Sequence, residues 1–353
     1  MLKRPFASLR HRLQVLSQDL AAAIFVYIWV VVPLMCLWVP VYLLLFTRVW
    51  WIVPLYGVWF YLDRFSSKTG AYNGSVVRFF RSSALWRCFA SGFPLELIKT
   101  SDLDKERNYI FGVHPHGVFA VSAFTHFSTD STGFSAKFPG LRISCLTLTG
   151  QFWLPLRREY GLALGGLEVG REAIVSAFSP PSSGGRKELD AARVRGRALA
   201  LVVGGAAECL HALPNASAVK LILENRKGFV KLALKLGVDL VPTFSFGETE
   251  LFDVSSASDD SKLRHFQRIL KKLINFCPPF YKGRGLLFDS FGFLPFRRPV
   301  YTVVGRPIRV TAVAEPSDEE VYSLHDTYKM ELVRLFEENK RKYGYSGRSL
   351  VIV

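Results

Sequence analysis

The sequence predicts an α/β domain, built on a mixed sheet with flanking helices, that follows an N-terminal membrane helical hairpin. Half of the 353 residues are hydrophobic, one long apolar stretch lies near the start, and short apolar runs alternate with glycine-containing turns farther along. We therefore divide the chain into a basic N-terminus (1–19), a hairpin anchor (20–62), a juxtamembrane segment (63–100) and the α/β domain (101–353).

The hairpin prediction rests on residues 20–62, in which Arg48 is the only charged residue. This stretch is too long for the apolar core of a cleaved signal peptide, and it allows two passes of ~20 residues each. Basic residues flank it on both sides: Lys3, Arg4, Arg10 and Arg12 before it, and Arg64, Lys68, Arg78 and Arg81 after it. Since basic flanks favour the cytoplasmic side, a hairpin is favoured over a single crossing, although Arg48 then lies inside the second limb at some cost.

The α/β prediction rests on apolar runs bounded by turn residues. These runs predict strands at 108–113, 143–148, 198–203 and 239–245. The clearest helical pattern covers 227–236 and is stopped by Gly237. A Pro-, Ser- and Gly-rich stretch at 179–185, continued by charged residues to Arg197, predicts a surface insertion. A basic amphipathic pattern at 262–274 suits either a membrane surface or an ordinary surface helix.

Charge and cysteine content limit the classes of partner. The formal net charge of +16 indicates an anionic partner, such as nucleic acid, an anionic lipid surface or a polyphosphorylated cofactor. No nucleic acid is expected, because no nucleic-acid-binding signature accompanies the charge. The five cysteines have no C-x-x-C spacing, which argues against a zinc site and against a disulfide framework.

Two histidines flank a proline in the stretch GVHPHG at 112–117, directly after an apolar run. The proline favours an extended backbone, so we expect His114 and His116 to project toward the same side and to share one site. The pair is predicted where a strand gives way to a helix, at the carboxyl end of a strand, which is where α/β folds usually have their sites.

Several long motifs follow one another along the chain: FGVHPHG (111–117), VVGGAAE (202–208), NRKGFVKLALKLGVDLVPTFSFGE (225–248), GRGLLF (283–288) and LPFRRPVYTVVGRPI (294–308). In this order they resemble the type 2 diacylglycerol acyltransferase family, which also contains monoacylglycerol and wax-alcohol acyltransferases. The resemblance extends from about residue 90 to residue 344. One departure is Gly92-Phe93-Pro94, where the family often has Tyr-Phe-Pro.

The resemblance implies an acyltransferase-like fold and transfer of a fatty acyl group from acyl-coenzyme A to diacylglycerol, giving triacylglycerol. It implies acyl-coenzyme A as co-substrate without a further cofactor, and a membrane hairpin. It also implies an enzyme of the endoplasmic reticulum membrane and of lipid droplets, with its catalytic domain facing the cytosol. The alternative acceptors are monoacylglycerol and a long-chain alcohol, and a homo-oligomer is possible.

The reaction needs a general base, because a neutral hydroxyl attacks a thioester poorly. His114 or His116 fits this role, and we favour His116 because it lies nearest the helix start and beside Gly117. A helix N-terminus beyond the pair would keep the imidazole neutral and offer free N–H groups to an oxyanion. The supporting carboxylate is predicted to be Glu208, after a buried strand and the Gly204-Gly205 turn; alternatively, Glu208 only favours a helix dipole.

Further residues are predicted to contact the substrates. The basic side chains of Arg226 and Lys227 precede a helix and could meet the phosphates of coenzyme A, or they could simply be solvated. Gly117 would let the acceptor approach the backbone, as would the glycines at 204 and 205. Glu248 either holds a neighbouring loop or touches the acceptor.

Four alternatives remain open from the residues alone. The histidines could be a buried, hydrogen-bonded structural pair, or two ligands of a zinc ion, although no other histidine or cysteine has ligand spacing. The chain could also be a droplet-binding protein without catalysis, which would give no reason for a glycine-flanked histidine pair. A transporter would need several apolar segments, and the sequence has one cluster.

Overall fold

The computed structural model describes residues 3–70, 74–179, 196–214, 216–254, 281–286 and 291–353. The α-helices are α1 (Lys3–Val26), α2 (Val32–Phe46), α3 (Ile52–Leu62), α4 (Ser66–Thr69), α5 (Gly74–Arg81), α6 (Ala84–Gly92), α7 (Val121–Ala123), α8 (Phe134–Lys137), α9 (Arg157–Ala163), α10 (Arg171–Phe178), α11 (Gly228–Leu236) and α12 (Asp318–Asn339). The strands are β1 (Leu95–Lys99), β2 (Tyr109–His114), β3 (Leu141–Thr147), β4 (Leu167–Glu168), β5 (Gly196–Val202), β6 (Ala218–Leu221), β7 (Asp239–Phe246), β8 (Asp253–Val254), β9 (Tyr281–Arg284), β10 (Phe291–Gly292), β11 (Val300–Val304) and β12 (Ser349–Ile352).

The described residues also contain shorter helical turns. Two of these are π-helical, Tyr27–Val31 between α1 and α2 and Phe124–Ser128 after α7; three are 3₁₀-helical, Thr149–Phe152, Gly205–His211 and Glu248–Glu250.

A seven-stranded mixed sheet forms the centre, in the order β1-β11-β7-β2-β5-β3-β4. The strands β7, β2, β5, β3 and β4 run parallel to one another, whereas β11 is antiparallel to β7 and β1 follows β11 in parallel. A three-stranded antiparallel sheet, β10-β9-β8, and a parallel pair of β6 and β12 lie outside this sheet. The chain is therefore a mixed α/β protein.

The period of two along β2 explains how the sheet is covered on both faces. Ile110 packs with α11 and α12, in a cluster that includes Val230, Leu332 and Phe336. Tyr109, Phe111 and Val113 pack on the other face, against the π-helical turn and α8. Since both faces are covered, every residue of β2 is buried, which is typical of a central parallel strand.

Local sequence signals explain where α12 begins and where α11 ends; both helices pack on one face of the central sheet. In α12, Ser317 and Glu320 form a capping box in which each side chain accepts the other residue's backbone N–H. In α11, Gly237 ends the helix in the left-handed conformation, at φ +61°. These helices fix the layer against which the histidine-bearing strand packs.

The N-terminal helical segment packs against the domain in one part and extends from it as an apolar helix in another. Its Asp19 accepts hydrogen bonds from Arg284 (2.5 Å) and Arg297 (2.7 Å), and Phe25 stacks on Phe89 with 4.7 Å between ring centroids. Within the described residues, the helical run Leu9–Phe46, of 38 residues, is the one long and apolar enough to cross a membrane; α3 is a shorter apolar helix. Arg48 lies in the turn between α2 and α3.

The four predicted strands and the predicted helix at 227–236 are confirmed, with bounds that shift by at most two residues. The boundary predicted at residue 101 falls inside the fold, because β1 pairs with β11 along the edge of the central sheet. Residues 3–19 of the predicted separate N-terminus lie in α1, and Asp19 is held by two arginines of the domain. The amphipathic pattern at 262–274 and most of the 179–197 insertion lie outside the described residues.

Candidate active site

Three neighbouring parallel strands end at one edge of the sheet and bring the predicted site residues together. Strand β2 ends in His114, β5 leads into the 3₁₀ turn that carries Glu208, and β7 leads into Glu248. Because β2 lies between β5 and β7 and is parallel to both, these chain ends meet at the carboxyl edge. The loop that starts at this point, residues 115–120, is named the catalytic loop for the role that we propose for it.

His114 is fully buried and held by α12. Its Nε2 lies 2.9 Å from the hydroxyl of Tyr328, which itself donates to the carbonyl of Gly112 at 3.2 Å. Since the phenol proton goes to that carbonyl, Nε2 must carry its own proton and donate to Tyr328. Burial lowers the pKa of His114 to about 3, so the imidazole is neutral. Its Nδ1 has no hydrogen-bond partner among the described residues.

His116 follows the proline and is only partly buried. Its Nδ1 lies 3.1 Å from the carbonyl of Gly117 and 3.1 Å from Sγ of Cys209. A carbonyl only accepts, so Nδ1 carries the proton and Nε2 keeps a free lone pair. Burial lowers the pKa of His116 below its ordinary value. The two histidines thus have separate partners, because strand alternation directs His114 toward α12 while His116 lies beyond the strand end.

Glu208 holds the catalytic loop by its main chain. One carboxylate oxygen accepts the backbone N–H of His116 at 2.7 Å, and the other accepts that of Ile222 at 2.9 Å. Burial raises the pKa of Glu208 to about 7, while these two hydrogen bonds act in the opposite direction. The contact runs to the backbone of His116 and not to its imidazole.

Glu248 holds the other end of the loop. Its two oxygens accept the backbone N–H groups of Val121 (2.9 Å) and Ser122 (2.8 Å), the first residues of α7. Burial raises the pKa of Glu248 to about 7 as well. The helix N-terminus expected to offer N–H groups to an oxyanion is therefore occupied at these two positions, since the buried carboxylate needs donors of its own.

Three glycines make room for these side chains. A Cβ on Gly204 would collide with the carboxylate of Glu208, and a Cβ on Gly112 would collide with the hydroxyl of Tyr328. A Cβ on Gly117 would lie 2.6 Å from Oε1 of Glu248, and its φ of +62° also favours glycine. The space expected beside Gly117 for the acceptor is thus filled by Glu248. Gly205, at φ +63°, borders open space.

The basic residues lie at the edge of this site. Arg226 is exposed and its guanidinium lies 3.5 Å from the carbonyl of Gly204. Lys227 places its ammonium 4.0 Å over the ring of Tyr322 on α12. Arg226 is therefore close to the turn that carries Glu208, whereas Lys227 faces the helix beside it.

The structure adds two residues that the sequence reasoning missed. Tyr328 contacts His114 from more than two hundred residues away, and no local pattern indicates it. Cys209 lies beside Glu208 in the sequence, and that adjacency is a signal that could have found it. Sγ of Cys209 also contacts the carbonyl of Val118 at 3.6 Å, so this thiol bridges the loop and the 3₁₀ turn.

No cluster of three or more His, Cys, Asp or Glu side chains with the geometry of a metal site occurs in the part of the chain that the structure describes.

The family profile and the individual relatives that match this chain agree with one another. A family profile described as diacylglycerol acyltransferase matches residues 42–353. The chain is 40% identical over 273 residues to diacylglycerol O-acyltransferase 2A of Umbelopsis ramanniana, covering 77% of this chain and 73% of that protein. It is 41% identical to 2-acylglycerol O-acyltransferase 1 of Bos taurus, covering 83% of each protein. It is 37% identical to acyl-CoA wax alcohol acyltransferase 2 of Mus musculus, covering 89% of this chain and 90% of that protein.

Proposed function

The chain belongs to the diacylglycerol acyltransferase family, and on this basis we propose that it transfers a fatty acyl group from acyl-coenzyme A to diacylglycerol, forming triacylglycerol. The proposed mechanism rests on the hydrogen bonding of His116. Its Nδ1 proton is held by the carbonyl of Gly117, which leaves Nε2 free to act as general base.

In the proposed reaction, Nε2 of His116 takes the proton of the acceptor hydroxyl as the oxygen attacks the thioester carbonyl. The coenzyme A thiolate then leaves and receives that proton from the imidazolium. A positioned base contributes ~10²- to 10⁴-fold to such a step. The backbone N–H groups of Gly117, Val118 and Phe119 donate no hydrogen bond within the described residues, so we assign the oxyanion to this turn.

The remaining predicted residues divide into two roles. Glu208 and Glu248 are positioning residues, because they hold both ends of the catalytic loop, and the glycines at 117 and 204 accommodate their carboxylates. Gly205 gives the turn its left-handed backbone. We assign the phosphates of coenzyme A to Arg226, which is exposed at the rim, with Lys227 beside it.

The acceptor is tested by an assay of membranes that contain the expressed chain, with labelled oleoyl-coenzyme A and three acceptors: dioleoylglycerol, 2-monooleoylglycerol and hexadecanol. We expect triacylglycerol as the main product, with neither added metal nor nucleoside triphosphate required, and no loss on chelation. Membranes with His116→Ala at matched expression are the control.

A main product with 2-monooleoylglycerol or hexadecanol would assign the acceptor to one of those classes. The three relatives are too evenly similar to this chain to choose among acceptors. No product with any acceptor would favour the droplet-binding alternative, and reversible loss on chelation would restore the metal alternative.

We propose that the anchor is a hairpin that enters and leaves the membrane on the cytosolic face of the endoplasmic reticulum, where the enzyme also reaches lipid droplets. Sγ of Cys36 in α2 donates to the carbonyl of Pro155, and the hydroxyl of Tyr56 in α3 donates to Glu159 at 2.8 Å. Both apolar helices thus return to one region of the domain. Ten helical residues beyond this contact reach about 15 Å, roughly half of a ~30 Å bilayer core.

Two sequons test this topology, Asn73-Gly74-Ser75 and Asn215-Ala216-Ser217. Both asparagines lie outside the described residues. With a hairpin and a cytosolic domain, neither meets the glycosylation machinery, so we expect no glycosidase-sensitive mass shift in yeast or animal membranes. Sugar on Asn215 would rule out the hairpin and leave a single crossing.

A further inference from the structure

A buried arginine lies where the anchor meets the domain, without an acidic partner. The side chain of Arg157, at the start of α9, is 5% exposed. Its Nε donates to Oε1 of Gln151 at 2.9 Å, and no ion pair to it occurs among the described residues. Burial lowers the pKa of Arg157 to about 10, so the guanidinium is charged at neutral pH. The next acid along α9, Glu159, is already engaged by Arg158 at 3.0 Å and by Tyr56.

Two aromatic rings lie beside this charge. The guanidinium lies 4.2 Å over the ring of Trp29, in the π-helical turn of the anchor, and 5.5 Å from the ring centroid of Tyr160. The indole Nε1 of Trp29 and the hydroxyl of Tyr160 are both buried, and neither has a hydrogen-bond partner within the described ranges. Arginine and indole only donate hydrogen bonds, and within the described residues Oε1 of Gln151 is the acceptor bonded to this guanidinium, so the donors of Trp29 and Tyr160 are left without one.

Unpaired donors around a buried cation are costly, and a bound anion removes that cost. A guanidinium with free Nη groups suits a phosphate, which it can bind through two parallel hydrogen bonds. The unpartnered N–H of Trp29 and hydroxyl of Tyr160 belong to the two rings beside this guanidinium, so they are the further donors near such an anion.

The surroundings indicate where such a phosphate comes from. The segment 153–156 leads directly into Arg157 and is contacted by both apolar helices, through Pro155 and through the N–H of Leu156, which lies 3.4 Å from the hydroxyl of Tyr56. Its Trp153 is 72% exposed and Leu156 is 67% exposed. Leu156 also has a φ of +62°, which is uncommon for leucine. Exposed Trp and Leu beside an apolar anchor are typical of the lipid headgroup level.

We propose that Arg157, Trp29 and Tyr160 form a binding site for the phosphate group of a membrane phospholipid. The site is separate from the catalytic loop, although Trp29 contacts Phe124 of the π-helical turn after α7, with 6.0 Å between ring centroids. A bound headgroup would therefore hold the anchor against the domain one helical element away from His116.

The test uses the full-length chain purified in an uncharged detergent. Thermal unfolding is followed during titration with dihexanoyl phosphatidylglycerol, with dihexanoylglycerol, which lacks the phosphate, and with free coenzyme A, which carries phosphates without a lipid. We expect the unfolding midpoint to rise with the phospholipid alone. Arg157→Gln should weaken the apparent affinity roughly 10- to 100-fold, the range for losing hydrogen bonds to a charged group.

A second variant keeps the test independent of the folding of Arg157→Gln. Tyr160→Phe retains the ring and removes one donor, so a smaller loss of affinity, of several-fold, is expected. Tyr343→Phe is the matched control, because the hydroxyl of Tyr343 is also buried and unpartnered, yet its ring stacks on Tyr301 in another part of the domain. It should bind like the parent.

Three results would overturn the proposal. One is an equal shift with dihexanoylglycerol, which would mean that only the acyl chains bind. Another is a shift with coenzyme A that the phospholipid competes for, which would assign the phosphate to the coenzyme. The third is parental affinity in both Arg157→Gln and Tyr160→Phe.

Discussion

Replacing His116 by alanine is expected to lower turnover by roughly 10²-fold or more, the range for losing a general base. The Nε2 atom is the base that we propose, and its position depends on the loop backbone, which Glu208 and Glu248 hold independently of the imidazole. Folding and membrane association should therefore persist. The measurement is the rate of triacylglycerol formation per amount of folded protein, at saturating acyl-coenzyme A and diacylglycerol.

Two further variants separate a catalytic role from a structural one. His114→Ala should cost less in turnover per folded molecule, although it removes the partner of Tyr328 from a buried place. His11→Ala, at an exposed position of α1, should behave like the parent. Near-normal turnover of His116→Ala would move the base to His114 or out of the motif, and failure of both motif variants to accumulate as folded protein would make the pair structural.

Glu208→Gln is expected to lower turnover roughly 10- to 100-fold, because an amide has one acceptor oxygen and the carboxylate holds two backbone N–H groups. One of those donors is then buried without a partner, at a cost of about 1–3 kcal/mol. The loss should fall mainly on turnover rather than on the Michaelis constants, since the loop positions the base. Glu338→Gln, in an exposed pair with Arg334, is the control.

The same carboxylates predict the pH dependence of turnover. Burial raises the pKa values of Glu208 and Glu248 to about 7, so both take up protons as the pH falls through 7 and their hold on the backbone N–H groups weakens. His116 stays neutral to lower pH, because its pKa is lowered. Turnover should therefore fall on the acid side with a midpoint near pH 7, and Glu208→Gln should retain only the part due to Glu248.

A fall in turnover centred below the ordinary histidine pKa of about 6.5 would contradict the assignment of the pH dependence to Glu208 and Glu248. It would place the titration on the imidazole instead of on the carboxylates.

Much of the sheet was predictable, because β2, β5 and β7 are short apolar runs that end in Gly, Pro or charged residues. Parallel strands then require His114, Glu208 and Glu248 to meet at one edge, so the location of the site followed from the strands. The edge of the sheet was not predictable. Strand β1 lies directly after α6, and its place is set by pairing with β11, about two hundred residues later.

The orientation of the side chains in the candidate site could not be predicted from the sequence either. Whether the carboxylate of Glu208 meets an imidazole or a main-chain N–H depends on a difference of a few ångströms in how two loops pack. The role of Tyr328 depends on the docking of α12, which brings its hydroxyl under Gly112. Such contacts join segments far apart in the chain, and neither the periodicity nor the spacing of residues predicts them.

The two carboxylates hold the catalytic loop through backbone N–H groups, that of His116 in the loop and those of Val121 and Ser122 just after it, and every amino acid except proline has the same N–H group. We therefore expect exchanges of the side chains of Val118 and Phe119 to leave the position of His116 unchanged. Phe119 faces Phe252 and Tyr281, with ring centroids 5.3 and 5.0 Å away, so such exchanges would alter the apolar wall beside the loop. With the base that we propose, this separation would let proteins of one fold differ in the alcohol they accept while the group that removes its proton stays the same.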